Sequence, residues 1–213
     1  MPSRSTPNTE PAPADGPRRP GRVDRRVQQF RARVLETAEA LFAERGVEAT
    51  KIDDSCEAAD VAKRTLCNHF PTKADIVQAL SREAVSRMVA MIDEARLAGN
   101  STRERVSNLF DAMYGGDFEP SPIQRESVGA FFQVAHGTPD ATESEIDVSD
   151  AIQRLLREGS PDELPPGCSV ETYGEILLGA IYSTTLEWIH RDDYDVEARL
   201  KEVGRFLVSL LPE

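Results

Sequence analysis

The stretch DVAKRTLCNHFPTK, residues 60–73, crowds a lysine, an arginine, a threonine, a thiol, an amide and an imidazole into one short run before Phe70-Pro71 stops it. Thiol and imidazole could bind a metal or act as a nucleophile, but neither reading finds its partners. The chain has three cysteines, Cys56, Cys67 and Cys168, with no Cys-x-x-Cys pair, so they make neither a zinc site nor a disulfide framework. Glu187-x-x-His190 has the spacing of di-iron carboxylate bundles, yet the other histidines, His69 and His136, lack a Glu three residues earlier. No G-x-S-x-G, no H-E-x-x-H and no phosphate-cradling glycine loop occurs, so an enzyme, metal or cofactor reading has nothing to rest on. What Arg64 and Asn68 can do is hydrogen-bond base edges. Arg offers two donors to guanine O6 and N7, and Asn pairs with adenine N6 and N7, each worth ~1–3 kcal/mol of discrimination.

That chemistry needs a rigid platform. At helical spacing Ala62, Leu66 and Phe70 fall on one side of a helix over about 63–69, and Arg64, Cys67 and Asn68 fall on the other, with Lys63 at the boundary. A helix so short cannot hold itself together in water. Its apolar side must be clamped on two preceding helices. The first, about 26–45, carries Phe30, Val34, Leu35, Ala38, Leu41 and Phe42 on one stripe and closes at Gly46. The second, about 51–59, has Thr50 as its candidate N-cap and Cys56 as packing against the third. Two short helices joined by a turn at 60–62, the second bearing exposed Arg and Asn, follow the logic of a helix-turn-helix reading a major groove.

The remaining elements also read as helices. Pro71 ends the third, and Thr72 with Asp75 three residues on opens a fourth from Lys73 to about 97. Ser101-x-x-Glu104 and Thr142-x-x-Glu145 open helices at about 102–114 and 143–158, with a sixth, SPIQRESVGAFFQVAHG, between them. After the linker SPDELPPGCS come a long apolar helix, about 170–190, and an amphipathic one, about 196–211. The fold class is therefore all-α with about nine helices.

Composition sorts the partners. The first twenty residues hold six of the fourteen prolines and no Ile, Leu, Val or Phe, which predicts a disordered basic tail over 1–22. The net charge is −12, but residues 1–34 contain eight arginines and three acids. A basic arm is joined to an acidic body, so a polyanion has to be met by the N-terminal third. No run of eighteen apolar residues occurs and the N-terminus lacks an apolar signal core, which predicts a cytoplasmic protein with no membrane partner.

Residues 34–80, VLETAEALFAERGVEATKIDDSCEAADVAKRTLCNHFPTKADIVQAL, resemble the DNA-binding domain of the TetR family of bacterial transcriptional regulators, through LFAERG, a Thr at the start of the second helix and TLxxHFPTK at 65–73. The resemblance implies a DNA-binding domain over 23–72, an effector-binding and dimerisation domain over 73–213, and a homodimer joined through the last two helices. The dimer would bind a pseudo-palindromic operator on double-stranded DNA and act as a repressor released by a small-molecule effector. Carried over by position, Thr50, Lys51, Thr65, His69 and Lys73 are expected on phosphates, and Lys63, Arg64, Cys67 and Asn68 in the reading head. Arg25, with Arg22 and Arg26, is expected to reach the adjacent minor groove or backbone as an N-terminal arm. The chain departs from the family in having Asp60 where Gly is frequent in the turn, Ala62 where Ser caps the third helix, Cys67 where Tyr meets a phosphate, and Arg64 where a small residue is usual. Oxidation of an exposed Cys67 would release DNA, although a lone cysteine is more often a small filler.

Met88, Met91, Phe110, Met113, Tyr114, Phe131 and Phe132 cluster on the fourth to sixth helices. By themselves they read as core, and under the resemblance they mark the cavity for a largely apolar effector. Gln133, His136, Asn108 and Arg105 are the polar candidates, and Tyr182 and Trp188 could wall the pocket or the dimer seam. The seam is expected to draw on Leu177, Ile181, Leu200, Val203, Phe206, Leu207 and Leu210. The rival reading is a helical ligand-binding or interaction protein whose reading head has lost its DNA role, motivated by Asp60, Ala62, Cys67 and the acidic body.

Overall fold

Leu66 and Phe70, the two large apolar side chains of the short helix, are 0% and 1% exposed, and a separate cluster of buried residues has formed around them. The computed structural model describes residues 22–114 and 148–212, the side chains of 22–24 and 114 excepted. Among the described residues there are eight α-helices, one 3-10 turn and no strand. The chain runs through α1 (Arg22–Arg45), α2 (Ile52–Ala58), α3 (Lys63–His69), α4 (Lys73–Ala98), α5 (Thr102–Tyr114), α6 (Val148–Arg157), the 3-10 turn Pro161–Glu163, α7 (Val170–His190) and α8 (Val196–Leu210). The expected helix over SPIQRESVGAFFQVAHG and the Thr142-x-x-Glu145 capping box lie outside the described residues.

Two cores organise these helices. The first gathers Val34, Leu35, Ala38 and Phe42 of α1, Cys56 of α2, Leu66 of α3, and Ile76 and Ala79 of α4. The second gathers Ile92 and Ala95 of α4, Val106, Leu109 and Phe110 of α5, Ile152, Leu155 and Leu156 of α6, and Tyr173, Leu177 and Leu207 of α7 and α8. α4 therefore belongs to both: its first turns close the N-terminal core and its last turns enter the C-terminal one. It begins as the sequence reading expects. Thr72 Oγ1 accepts from the Asp75 N–H at 3.2 Å and the Asp75 carboxylate accepts from the Thr72 N–H at 2.8 Å. The second box is only half formed, because Ser101 Oγ accepts from the Glu104 N–H while Glu104 turns back to the N–H of Asn100.

The far end of the bundle is held by groups that local sequence patterns do not reveal. The carboxylate of Glu163 accepts from the backbone N–H groups of Thr102 and Ser160, so a residue of the 3-10 turn caps α5 from across the molecule. Gly159 makes this approach feasible, since a Cβ there would lie 2.1 Å from Thr102 Oγ1 and 2.8 Å from the Glu163 carboxylate. Tyr173 is buried and donates its hydroxyl to the Leu207 carbonyl at 2.9 Å, a group at the end of α8 whose usual donor, the Leu211 N–H, bonds Val208 instead. Arg103 donates to the carbonyls of Leu211 and Pro212, tying α5 to the end of α8.

Those donors hold the Glu163 carboxyl below its ordinary value of 4.5: first the Thr102 N–H, then the Ser160 N–H, with the charge of Arg105 adding last. A depressed folded pKa gives stability that is whole above the unfolded value and is lost as pH falls through the folded one. Glu163→Gln is thus expected to lower the melting temperature at neutral pH and to converge with the wild type in acid, read from melting curves across pH.

Candidate nucleic-acid interface

The interface is built outward from the clamp on α3. Leu66 and Phe70 face the first core, and burying each contributes ~1.5–3 kcal/mol of apolar transfer. The opposite side is then presented. Arg64, Thr65 and Asn68 are exposed, and Cys67 and His69 are half-buried. Cys56 on α2 is buried as expected, and its thiol pKa is raised by burial, then by the charge of Asp53. Its place in the buried cluster makes it packing.

The turn into α3 carries the two departures foreseen from sequence, and both have visible consequences. Asp60 adopts φ 51°, the left-handed geometry that glycine takes at least cost. The Val61 N–H nonetheless reaches back to the Cys56 carbonyl at 3.0 Å and closes the turn. Ala62 stands in the extended N-cap conformation, φ −65° and ψ 135°, without a side-chain acceptor for the helix's first N–H groups. Beside it, the ammonium of Lys63 pairs with Asp53 of α2 at 2.6 Å, and that hydrogen bond raises the lysine's pKa. Lys63 is thus drawn back over α2.

Two residues expected on phosphates, Thr50 and Lys73, have hydrogen-bond partners within the protomer. Thr50 is not the cap of α2; Lys51 is, and its N–H donates to Asp54 at 2.8 Å. Thr50 is 1% exposed, and its hydroxyl donates to the Gly46 carbonyl at 2.8 Å, so it fastens the α1–α2 turn from inside. Lys73 occupies the first position of α4, but its ammonium donates to the carbonyls of Val47 at 2.7 Å and Glu48 at 3.2 Å. It is a strut between α4 and the α1–α2 turn. Arg25, expected with Arg22 and Arg26 to reach the minor groove or backbone, stands with them in the first turns of α1, which starts at Arg22. Lys51, Arg25 and Arg26 are exposed.

Two contacts that sequence patterns did not single out lock α1 to the end of α3. The rings of Phe30 and His69 lie 4.8 Å apart, and the Arg31 guanidinium sits 4.7 Å from the centre of the Phe70 ring. Helical periodicity puts Phe30 on the apolar stripe of α1 but gives no signal for Arg31.

Met88, Met91 and Met113 are half-buried and pack against the second core, to which Phe110, 2% exposed, belongs. Met113 also touches the smaller cluster of Trp188, Val196 and Leu200. Tyr182 is half-buried, as is Asn108. Phe131, Phe132, Gln133 and His136 lie outside the described residues, as does the side chain of Tyr114. Arg105 is 7% exposed, with Nε and Nη1 lacking hydrogen-bond partners among the described residues, and its charge is felt by Glu163. An open cleft of ≈ 300 Å³ between α6 and the start of α7, lined by Leu156, Leu164, Cys168 and Val170 among others, contains none of the expected ligand residues.

The expected dimer seam is revised. Leu177, Leu200 and Leu207 are 0%, 7% and 2% exposed and belong inside the protomer. The apolar surface left open on the last two helices is Ile176, Leu186, Phe206 and Leu210, at 48%, 38%, 62% and 43% exposed.

Comparison with known proteins agrees with this geometry. Residues 34–80 match the family described as bacterial regulatory proteins, tetR family. The HTH-type transcriptional regulator TcmR of Streptomyces glaucescens is 26% identical over 95% of this chain and 92% of its own length. The HTH-type transcriptional repressor KstR of Mycolicibacterium smegmatis is 27% identical over 85% and 88%. Among solved structures, the regulator FadR from Bacillus subtilis in complex with stearoyl-CoA has a TM-score of 0.55 at 19% identity, covering 84% of this chain and 97% of that one, which is a likeness of fold.

Replacing Ala62 by Ser supplies the missing N-cap acceptor. The variant is expected to gain about 1 kcal/mol, seen as a higher urea midpoint at unchanged slope.

Proposed function

We propose that this chain, a tetR-family regulatory protein by its N-terminal domain, is a ligand-responsive DNA-binding transcriptional regulator that acts as a repressor and leaves its operator when a small molecule binds. The observation that carries the reading is the division of α3: Leu66 and Phe70 are spent on the core, and Arg64, Thr65 and Asn68 stand exposed on a helix fixed from behind. In this reading Arg64 and Asn68 meet base edges, and Lys51, Thr65 and His69 position the helix on phosphates. The relatives are named as transcriptional regulators, KstR as a repressor, and they support regulation rather than catalysis as the activity. Among the described residues no helix is long and apolar enough to cross a membrane, which accords with a cytoplasmic place of action.

Two protomers join through Ile176, Leu186, Phe206 and Leu210, so that their α3 helices meet half-sites one turn, ~34–36 Å, apart. The effector is largely apolar and rests among Met88, Met91, Phe110 and Met113. The FadR structure with stearoyl-CoA supports a ligand with a long apolar chain for this fold, although its CoA group is polar and anionic. α4 carries the signal, because it spans both cores. A ligand that prefers a wider setting of α4 depletes the DNA-competent state by its differential affinity and no more.

Selection from random duplexes followed by sequencing tests the reading. A palindrome with half-sites about one turn apart is expected, and recovery of no motif refutes it. On the recovered site Arg64→Ala is expected to relax preference at one base pair, at ~1–3 kcal/mol per half-site. Phe206→Glu is expected to convert dimer to monomer in size-exclusion chromatography with light scattering, with the circular dichroism spectrum unchanged.

A further inference from the structure

We propose that the amino end of α5 is a binding site for an oxyanion, a carboxylate or phosphoryl group, which takes the seat that Glu163 fills in the described structure. The site belongs to the C-terminal core and is independent of the DNA-binding reading.

The first observation is Arg105. It is 7% exposed, and its Nε and Nη1 have no hydrogen-bond partner among the described residues. A guanidinium taken out of water and left unpaired is costly, and an apolar side chain of similar volume would suit the protomer better. A bound anion gives this charge the partner it lacks.

The second is where Arg105 is aimed. Helical side chains lean toward the amino end of their own helix, and this one does so: a Cβ added at Gly99, ahead of the first residue Thr102, would lie 2.7 Å from the Arg105 Cγ. The unused N–H groups and the dipole at that end of a helix already favour negative charge.

The third is that a carboxylate is seated there. Glu163 accepts from the Thr102 N–H with Oε2 and from the Ser160 N–H with Oε1. Both of its oxygens are thereby spent on backbone, and Arg105 stays unbonded although its charge reaches the carboxylate. Tethered to the 3-10 turn, Glu163 shows that an anion fits the end of α5 but does not use all that the end offers. A free oxyanion can bond the Thr102 N–H and Arg105 together. Glu163 is half-buried, so it can turn out to water, and the exchange leaves the charge of the site unchanged. Gly159 borders the seat as well as Gly99, and a Cβ there would lie 2.1 Å from Thr102 Oγ1 and 2.8 Å from the Glu163 carboxylate. Exchange would also release the 3-10 turn from α5, since the Thr102 bond ties the two.

The test uses the full chain with sodium phosphate and sodium acetate as probes, at ionic strength held constant with sodium chloride. Melting temperature and the Thr102 amide resonance are followed together. Glu163→Ala vacates the seat, and is expected to melt below the wild type in chloride and to recover as either probe is added, with the Thr102 resonance moving over the same concentrations. The probe that acts at the lower concentration identifies the class of anion. The wild type is expected to show the same Thr102 shift at ~10-fold or more higher concentration, because only molecules with Glu163 turned out accept the anion. Arg105→Met is expected to melt as high as the wild type or higher in chloride. Combined with Glu163→Ala, it is expected to abolish the recovery. A Thr102 resonance that stays still in both the wild type and Glu163→Ala overturns the site. A shift in Glu163→Ala but none in the wild type overturns the exchange and leaves Glu163 a permanent cap. Undiminished recovery without Arg105, or a lower melting temperature for Arg105→Met alone, overturns the role of the guanidinium.

Discussion

α3 is too short to persist by its own hydrogen bonds, and most of the N-terminal domain can be understood as the means of keeping it folded. Leu66 and Phe70 pack against α1, α2 and α4 in one continuous cluster. Around that cluster each loop is fastened by a different device. Gly46 takes φ 83° to end α1, Thr50 ties the following turn from inside, Asp60 takes the left-handed turn before α3, and Pro71 stops the chain from continuing it. With its backbone so constrained, α3 can expose an arginine and an amide without losing order on that side.

The same constraint explains why α4 matters. Its first turns supply Ile76 and Ala79 to the cluster under α3, and Lys73 is bonded to the carbonyls just before α2. Its last turns carry Ile92 and Ala95 into the other core. Movement of α4 in the C-terminal core must either strain these contacts or carry the reading head with it. Close-packed interiors favour the second, because they shift between discrete arrangements instead of deforming smoothly.

Much of this was legible in the residues. The stripe of α1, the short α3 with its buried and open sides, the Thr72–Asp75 box and the left-handed Asp60 all follow from local chemistry, and local chemistry is what a single sequence displays. Three features were not legible, each for a physical reason. Lys73 has the type and place of a phosphate ligand, and only the fold brings Val47 and Glu48 within its reach. α7 is apolar around much of its circumference, so periodicity could not separate Leu177, inside, from Ile176, outside. α1 begins at Arg22, about one turn before the start at about 26 that the sequence suggests, because the residues before Val27 carry none of the apolar stripe that marks the rest of the helix.

The bonds from Arg103 to the carbonyls of Leu211 and Pro212 join α5, which carries Phe110 and Met113, to the end of α8, whose outer side bears Phe206 and Leu210. In a dimer built on that side, a change in α5 of one subunit reaches the seam shared with the other. Occupancy of the two subunits is then thermodynamically linked, and by reciprocity each influences the other equally. The dose response to an effector need not follow a simple hyperbola: its steepness becomes a property of the joint between α5 and α8, and can be tuned there without touching either the pocket or the DNA.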